Sequence, residues 1–461
     1  MKEDGLTLPS LLEHYFLIIE KNKHLNAFVE VFFDSARQQA TQVQRKIESG
    51  TAGKLAGMIV SLKDNICYQN HSVSAASAML QNFTSPYSAT VVERLLQQDA
   101  IIIGRVNCDE FAMGGSNETS FYGPVKNAID TERVPGGSSG GSAVSVQAGM
   151  CLASIGTDTG GSVRQPAAFT GLVGFKPTYG RISRYGVIAY ASSFDQVGTF
   201  THEVEDAALL LEVLAGKDSL DATTLDFDLP PMNLSREQSG PKRIAVFKEI
   251  LDSPALDATI KLAIESRIEL LKSQGHIIEY ISFDLLDYLV PSYYVLTTAE
   301  ASSNLSRYDG VRYGHRSKNA STLEDLYKNS RSEGFGEEVK RRILLGTFVL
   351  SAGYYDAYYQ KAQKVRRLIT EKLDEIFTSF DFILTPVSPT PPFKIGEQGR
   401  DPLEMYMADI FTVLANLGGV PAISLPLGVN VDNLPMAYQL MANKFEDSKL
   451  IEFAHQLSCK N

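Results

Sequence analysis

A stretch rich in glycine, serine and threonine, residues 114–198, constrains the fold of this chain more than any other feature of its sequence. Glycine adopts left-handed backbone conformations at low cost and lets the main chain approach other groups closely. Because short apolar runs separate the glycines, the stretch predicts loops of special geometry held between strands. Its two most glycine-rich loops, residues 135–141 and 156–162, contain Ser138 and Ser162 respectively.

Strand-like and helical patterns alternate on either side of this stretch. Apolar runs at residues 57–62, 101–103 and 243–247 are typical of buried strands, and segments with helical spacing separate them. This alternation predicts an α/β fold with a largely parallel sheet, covered by helices on both faces. The polar, proline-containing residues 220–241 predict a long connection across the surface, after which helices dominate to about residue 377.

The charge balance limits the partners that this chain can bind directly. It carries 43 lysines and arginines against 54 aspartates and glutamates, a net charge of −11. A broad nucleic-acid footprint needs clustered basic residues, so a polyanion would have to be bound locally or by another subunit. The N-terminus lacks a secretory-signal pattern, and no apolar run approaches the ~20 residues of a membrane span. We therefore expect a cytoplasmic protein without membrane contact.

Metal and disulfide chemistry are not indicated by the sequence. The four cysteines form no C-x-x-C pair, and the seven histidines are scattered without the spacing of metal ligands. Such spacing is what normally reveals a zinc site or a disulfide framework. We expect reduced thiols in or near the core and no metal site.

The two glycine-flanked serines and Lys63 could together carry nucleophilic catalysis. A serine hydroxyl attacks efficiently only when a base takes its proton, and that base need not be histidine. Lys63 follows an apolar run, but at an unperturbed pKa of ~10.4 only about 0.04% of it would be neutral at pH 7. It must therefore be desolvated, or act through a neighbouring hydroxyl. Lowering its pKa by about 3 units costs about 4 kcal/mol, which a large domain can supply.

Ser162 is the predicted nucleophile, because Thr159, Gly160 and Gly161 lead directly into it. Consecutive backbone N–H groups ahead of a helix, expected at residues 163–169, would form an oxyanion hole. The charged residues that flank this loop are expected to form an ion pair that braces it, rather than to act as catalysts; they are Asp158 and Arg164.

A second interpretation places the nucleophile at Ser138. The sequence Gly136-x-Ser138-x-Gly140 matches the nucleophile elbow of α/β-hydrolases. That motif requires an apolar strand directly before it. Polar residues 130–133 precede it here instead, which disfavours the elbow.

These residues together resemble the amidase signature family. The resemblance runs from about residue 55 to residue 200 and rests on Lys63, the two serine loops and three further motifs, residues 164–168, 174–181 and 192–198. A narrower resemblance covers nearly the whole chain. It is to the A subunits of glutamyl-tRNA(Gln) amidotransferases and rests on residues 109–118, 338–343, 345–348 and 405–409.

The resemblance implies a fold and a domain organisation. The fold would be the amidase-signature fold, with a central mixed, mostly parallel sheet covered by helices on both faces. Residues 1–461 would form a single large domain. Its signature region, residues 55–200, would carry the chemistry, and a helix-rich region, about residues 243–416, would form the substrate pocket and contact partners.

The resemblance also implies a Ser-cisSer-Lys triad with defined roles. Ser162 would attack the side-chain amide of glutamine, and Ser138 would bridge it to Lys63. Arg342 and Asp409 would hold the α-carboxylate and the α-amino group, with Tyr293 nearby. Such a pairing is chemically apt, because a zwitterion needs one cation and one anion at a fixed separation.

The implied activity is that of a ligase subunit that hydrolyses glutamine and passes ammonia to its partners, the B and C subunits of a heterotrimer. ATP and Mg²⁺ would be used by the complex, with no cofactor on this chain, and mischarged tRNA would bind mainly to the partner. Two alternatives stay open, a free-standing amidase of another amide and an inactive scaffold subunit. The intact triad of Lys63, Ser138 and Ser162 disfavours the scaffold, and Arg342 with Asp409 disfavours the general amidase.

Overall fold

The computed structural model describes residues 7–235, 240–397 and 407–458. The strands are β1 Phe28–Val31, β2 Ile59–Lys63, β3 Ile101–Val106, β4 Ala153–Asp158, β5 Val173–Lys176, β6 Gln196–Thr201, β7 Arg243–Phe247, β8 Ile277–Ile281, β9 Phe382–Pro386, β10 Ala422–Val429 and β11 Pro435–Met441. The α-helices are α1 Leu8–Lys21, α2 Phe33–Ser49, α3 Thr90–Gln97, α4 Gly140–Gln147, α5 Arg164–Thr170, α6 Val204–Leu214, α7 Lys248–Leu251, α8 Ala258–Ser273, α9 Leu286–Asn304, α10 Leu323–Gly334, α11 Glu337–Val349, α12 Lys361–Phe377, α13 Val413–Gly418 and α14 Asp447–Ser458.

All of these strands belong to one sheet, in the order β1-β3-β2-β4-β6-β5-β10-β11-β9-β7-β8. The predicted α/β fold with a mixed sheet is confirmed. Parallel pairs are confined to two groups, β3-β2-β4 and β9-β7-β8, and the other six of the ten pairings are antiparallel. The parallel neighbours β2–β3 and β7–β8 are joined through helices, as a crossover requires, whereas a short turn joins β10 to β11.

The sheet separates two hydrophobic cores. Ile101 and Ile103 of β3 pack into one core with buried residues of α1, α2 and α4, and Ile102 packs into the other with α3 and α6. Successive side chains of a strand point to opposite faces, which explains the division. Helices therefore cover both faces of the sheet, as predicted.

The predicted surface connection has the expected irregular form. Its described residues, 220–235 and 240–241, contain neither helix nor strand. The motif at residues 405–409 lies partly outside the described residues, and α13 follows it in sequence. Within the described ranges, we find no helix with both the length and the apolar character needed to cross a membrane.

One edge of the sheet gathers the chemically interesting loops. Lys63 is the last residue of β2, and Asp158 is the last residue of β4, its parallel neighbour. Because parallel strands end at the same edge, the two loops that follow them meet there. Gln196, the first residue of β6, pairs with Asp158 and brings a third loop, residues 190–195, to the same edge.

Candidate active site

Lys63 lies at the centre of a cluster of buried hydroxyl groups. Its side chain is inaccessible to solvent, and its Nζ lies 2.7 Å from Ser138 Oγ, 2.9 Å from Ser139 Oγ and 2.9 Å from Thr157 Oγ1. A lysine ammonium has three N–H donors and no acceptor, so these three oxygens satisfy it completely. The predicted contact between Lys63 and Ser138 is present.

The other two hydroxyls are already committed to neighbouring groups, which singles out Ser138. Ser139 Oγ donates to the Thr157 carbonyl oxygen at 3.1 Å, and Thr157 Oγ1 accepts a second hydrogen bond, from Asn65 Nδ2, at 3.0 Å. A neutral lysine amine keeps two N–H donors and gains one lone pair. If the two donors serve Ser139 and Thr157, the lone pair faces the Ser138 hydroxyl, which can then donate its proton to Lys63.

Burial favours the neutral form of this lysine. Desolvation lowers the pKa of Lys63 to about 8, although the charges of nearby acids, including Asp109, Asp158 and Asp195, oppose the shift. Taking an ammonium out of water penalises its charged state, and no carboxylate among the described residues touches Nζ to compensate. The pKa therefore lies closer to neutrality than that of an exposed lysine.

The two serines differ in accessibility and in contacts. Ser138 is fully buried and follows a cis peptide bond with Gly137, whereas Ser162 is 8% exposed. No hydrogen bond joins the Ser162 hydroxyl to another residue in the described part of the chain. The bridge from Ser138 to Ser162 is thus not formed in this conformation and stays a prediction, and Ser162 is the more exposed of the two serines.

The loop before Ser162 offers fewer free donors than the sequence predicts. The N–H of Gly161 donates to Asp158 Oδ1 at 2.9 Å, so it is already engaged and the predicted oxyanion hole must be corrected at this position. Among the described residues, the backbone N–H groups of Thr159, Gly160 and Ser162 make no hydrogen bond. These three remain the candidate oxyanion donors, and the N–H of the serine itself was missed by the sequence prediction.

Asp158 and Arg164 form the buried ion pair that the sequence predicts. Arg164 Nη2 lies 3.0 Å from Asp158 Oδ1, and both side chains are inaccessible to solvent. The carboxylate also accepts from the backbone N–H groups of Gly161 and Val163 and from Asn416 Nδ2. Desolvation alone would raise the pKa of Asp158, but Arg164, Lys176 and Asn416 outweigh it and lower the pKa to about 2. The pair fixes the loop on both sides of Ser162.

Tyr293 packs directly over the nucleophile loop, residues 156–162, which contains Ser162. A Cβ added to Gly160 would lie 2.4 Å from the Tyr293 hydroxyl oxygen, so only glycine allows this approach. The tyrosine is buried on α9, and its ring packs edge-to-face on Phe194 at 5.7 Å. The structure thus brings Tyr293 to the loop, as the family resemblance implies.

Arg342 and Asp409 are linked through Tyr294, which the sequence motifs do not single out. The Arg342 guanidinium lies 5.3 Å from the centre of the Tyr294 ring, and the Tyr294 hydroxyl donates to Asp409 Oδ2 at 3.0 Å. Desolvation raises the pKa of Asp409 to about 7, although Tyr294 and Arg342 oppose the shift. One tyrosine thus contacts both groups, the guanidinium through its ring and the carboxyl group through its hydroxyl. The adjacent Tyr293 was the one signal that could have pointed to Tyr294.

Arg342 does not lie on a solvated face, although it belongs to a basic run of α11. It is 3% exposed, with Nε 2.7 Å from Glu338 Oε1 and Nη1 2.9 Å from the Tyr190 hydroxyl. Its neighbour Arg341 is half-exposed. Burial of a charged guanidinium against tyrosine rings is typical of a recognition site rather than of a solubilising helix face.

Metal ligands do not accompany these residues. In residues 7–235, 240–397 and 407–458, no group of three or more histidine, cysteine, aspartate or glutamate side chains could hold a metal ion.

Comparison with known proteins identifies the family. The model of the Amidase family matches residues 10–451. The A subunit of the glutamyl-tRNA(Gln) amidotransferase of Koribacter versatilis is 50% identical over 460 residues, which cover 99% of this chain and 95% of that protein. Its counterpart from Prosthecochloris aestuarii is 49% identical over 449 residues, which cover 97% of this chain and 94% of that protein.

A solved structure gives the same result. The crystal structure of the A subunit of the glutamyl-tRNA(Gln) amidotransferase from Thermotoga maritima matches with a TM-score of 0.81 and 38% sequence identity, covering 99% of this chain and 95% of that one. The resemblance seen in the sequence motifs is thereby confirmed. The chain belongs to the amidase family, within the branch formed by the A subunits of glutamyl-tRNA(Gln) amidotransferases.

Proposed function

We propose that this chain is the glutaminase subunit of a glutamyl-tRNA(Gln) amidotransferase, with Lys63, Ser138 and Ser162 as its catalytic residues. The observation that carries the proposal is the 2.7 Å contact between a fully buried Lys63 amine and the Ser138 hydroxyl, with Ser162 the more exposed of the two serines. A lysine with a lowered pKa next to a hydroxyl is the arrangement that activates serine without histidine.

In the first half-reaction, Ser162 Oγ attacks the side-chain amide carbon of glutamine. Its proton passes to Ser138 Oγ, and the proton of Ser138 passes to the neutral Lys63 amine. The negative charge that develops on the amide oxygen is met by the backbone N–H groups of Thr159, Gly160 and Ser162. Lys63 then returns a proton through Ser138 to the leaving nitrogen, the carbon–nitrogen bond breaks, and ammonia departs.

In the second half-reaction, water hydrolyses the glutamyl ester on Ser162. Lys63, neutral again, takes a proton from the water through Ser138 as the water oxygen bonds to the ester carbon. It returns that proton through Ser138 to Ser162 Oγ as the ester bond breaks, which frees glutamate and regenerates the Ser162 hydroxyl and the neutral amine. The base that served acylation therefore also serves deacylation. The net reaction is glutamine plus water to glutamate plus ammonia.

Glutamine would be recognised by its charged α-groups. Arg342 would hold the α-carboxylate, Asp409 the α-ammonium, and Tyr293 would line the pocket between them and Gly160. The raised pKa of Asp409 supports this role, because a partly buried carboxylate without a bound cation is costly and gains from a cationic ligand.

The remaining parts of the reaction would belong to partners. The relatives are named as A subunits, which indicates a multi-subunit enzyme. We propose that B and C subunits complete a cytoplasmic heterotrimer in which the partner binds ATP, Mg²⁺ and mischarged tRNA and converts Glu-tRNA(Gln) to Gln-tRNA(Gln). The net charge of −11 supports this division, since it leaves the polyanions to the other subunits.

The test uses the complex copurified from the native host. Ser162→Ala should abolish glutamine hydrolysis and glutamine-dependent amidation, yet amidation with free ammonia should continue, because ammonia bypasses this site. Ser273→Ala, which alters an exposed serine at the end of α8, is the matched control and should behave like the wild type. Glutamine turnover that survives in Ser162→Ala would overturn the assignment, and a wild-type chain that purifies alone and hydrolyses another amide would favour a free-standing amidase.

A further inference from the structure

Thr412 connects the nucleophile loop to the segment that carries Asp409, and none of the roles above uses it. It is fully buried, and its Oγ1 lies 2.6 Å from the Gly160 carbonyl oxygen. Its backbone N–H donates to the Asp409 carbonyl oxygen at 3.0 Å. One residue thus touches both the loop before Ser162 and the residue proposed to bind the α-ammonium.

The hydroxyl of Thr412 donates to the carbonyl oxygen of the peptide between Gly160 and Gly161, and the N–H of that peptide is also hydrogen-bonded. The carbonyl of Gly160 and the N–H of Gly161 belong to one planar peptide unit and point in opposite directions. Thr412 binds the oxygen at 2.6 Å, and Asp158 binds the N–H at 2.9 Å. Held at both ends, this peptide cannot rotate about the chain, so the N–H groups on either side of it, those of Gly160 and Ser162, keep a fixed direction.

The glycine at position 161 is explained by the same contact. Gly161 has a φ of 136°, and a Cβ built on it would lie 2.3 Å from Thr412 Oγ1. The close approach is reinforced from the other side, because Arg164 Nη1 donates to the Thr412 carbonyl oxygen at 2.9 Å. The arginine that pairs with Asp158 therefore also donates a hydrogen bond to Thr412.

We propose that Thr412 is a positioning residue that couples occupation of the α-ammonium site at Asp409 to the geometry of the oxyanion-binding loop. The inference rests on the proposed glutaminase function and extends it. A substrate that engages Asp409 steadies the segment from Asp409 to Thr412, and the Thr412 hydroxyl transmits that restraint to the peptide between Gly160 and Gly161. Amides that lack the α-ammonium group would leave the loop less restrained and would react more slowly.

The hydroxyl can be removed with almost no change of shape. In the full complex, Thr412→Val should lower kcat for glutamine by about 10- to 100-fold, a smaller loss than removal of a direct oxyanion donor causes. The KM for glutamine should change less than about threefold. Thr412→Ser keeps the hydroxyl and should restore kcat to within about threefold of the wild type. Ammonia-dependent amidation should be unchanged in both variants and serves as the test of intact assembly.

Three outcomes would overturn the role of Thr412. Wild-type kcat in Thr412→Val would show that the hydroxyl is not used, equal losses in the Val and Ser variants would show a packing role, and a change confined to KM would show no effect on the loop. If Thr412→Val fails to assemble, Thr412→Ala against Thr412→Ser repeats the comparison, because both lack the methyl group and differ only in the hydroxyl. Wild type and Ser162→Ala run in parallel, so a wild type without glutaminase activity would instead refute the proposed function.

The coupling itself is tested by a double-mutant cycle. Asp409→Asn should reduce kcat for glutamine in the wild-type background. In the Thr412→Val background, the fold reduction that Asp409→Asn causes should be at least threefold smaller. Residues that act through one another give non-additive effects, whereas independent ones add. Additive losses in kcat would overturn the proposed coupling.

Discussion

The proton state of Lys63 sets the pH range in which this site can work. Its pKa is lowered to about 8 by desolvation, so below pH 8 most of the amine is protonated and cannot accept the proton of Ser138. We therefore expect kcat at saturating glutamine to rise about tenfold per pH unit below 8 and to level off above it. The measurement is ammonia release from pH 6 to 9.5, at a glutamine concentration high enough that the ionisation of Asp409 does not limit binding.

Lys63→Arg is the matched control for this prediction. Arginine keeps the positive charge but does not deprotonate usefully, so glutaminase activity should fall by several orders of magnitude while the complex still folds and uses free ammonia. Near-normal turnover in that variant, or a kcat that does not change between pH 6 and 8, would contradict the role given to the lysine.

At this scale the sequence predicts the reactive groups better than their surroundings. Lys63 and Ser138 stand out in the sequence because the chemistry requires a base and a hydroxyl, and the structure brings them together. Nothing in the sequence marks Thr157 and Ser139 in the same way. Their hydroxyls accept hydrogen bonds from Lys63 only because folding brings separate strands and loops together. The same limit explains Gly161, whose N–H looks free in the sequence but meets Asp158 in the folded loop.

At the scale of elements, the buried pair between Asp158 at the end of β4 and Arg164 at the start of α5 is predicted to hold the loop that carries Ser162. Arg164→Ala leaves a buried carboxylate without its cation, so the free energy of unfolding should fall by about 3 to 5 kcal/mol. Arg367→Ala removes an exposed ion pair with Glu371 and should cost less than about 1 kcal/mol. Urea denaturation of both variants measures the difference, and equal small losses would show that the buried pair does not brace the loop.

Element order is well predicted by the sequence, but strand direction is not. The apolar runs that end at Lys63 and begin at Arg243 do form β2 and β7, and the helices between strands are found. The antiparallel pairing of β5, β6, β10 and β11 is not visible in the pattern, because strands buried on both faces have continuous apolar runs whatever the direction of their neighbours. Pairing depends on contacts between distant segments, such as β5 with β10.

At the scale of the whole molecule, acyl chemistry and amino-acid recognition come from different parts of the chain. Lys63 and Ser162 belong to the signature region, whereas Arg342 and Asp409 lie in the helix-rich region, more than 100 residues away in sequence. Motifs predicted each set separately. The two regions meet where Tyr293 and Thr412 of the helix-rich region pack against Gly160, in the loop before Ser162.

This division predicts that recognition can be removed while the chemistry is kept. Arg342→Ala should lower kcat/KM for glutamine by about 2 to 5 kcal/mol in transition-state free energy, roughly 30-fold to several thousand-fold, because the α-carboxylate loses its buried partner. Labelling of Ser162 by a small uncharged electrophile should proceed at the wild-type rate, and the complex should still amidate with free ammonia. Arg342→Lys, which keeps the charge but loses the planar fork, should be intermediate. Joint loss of labelling and ammonia-dependent amidation would indicate a damaged fold, since Arg342 also pairs with Glu338. Unchanged glutamine use would show that Arg342 does not bind the α-carboxylate.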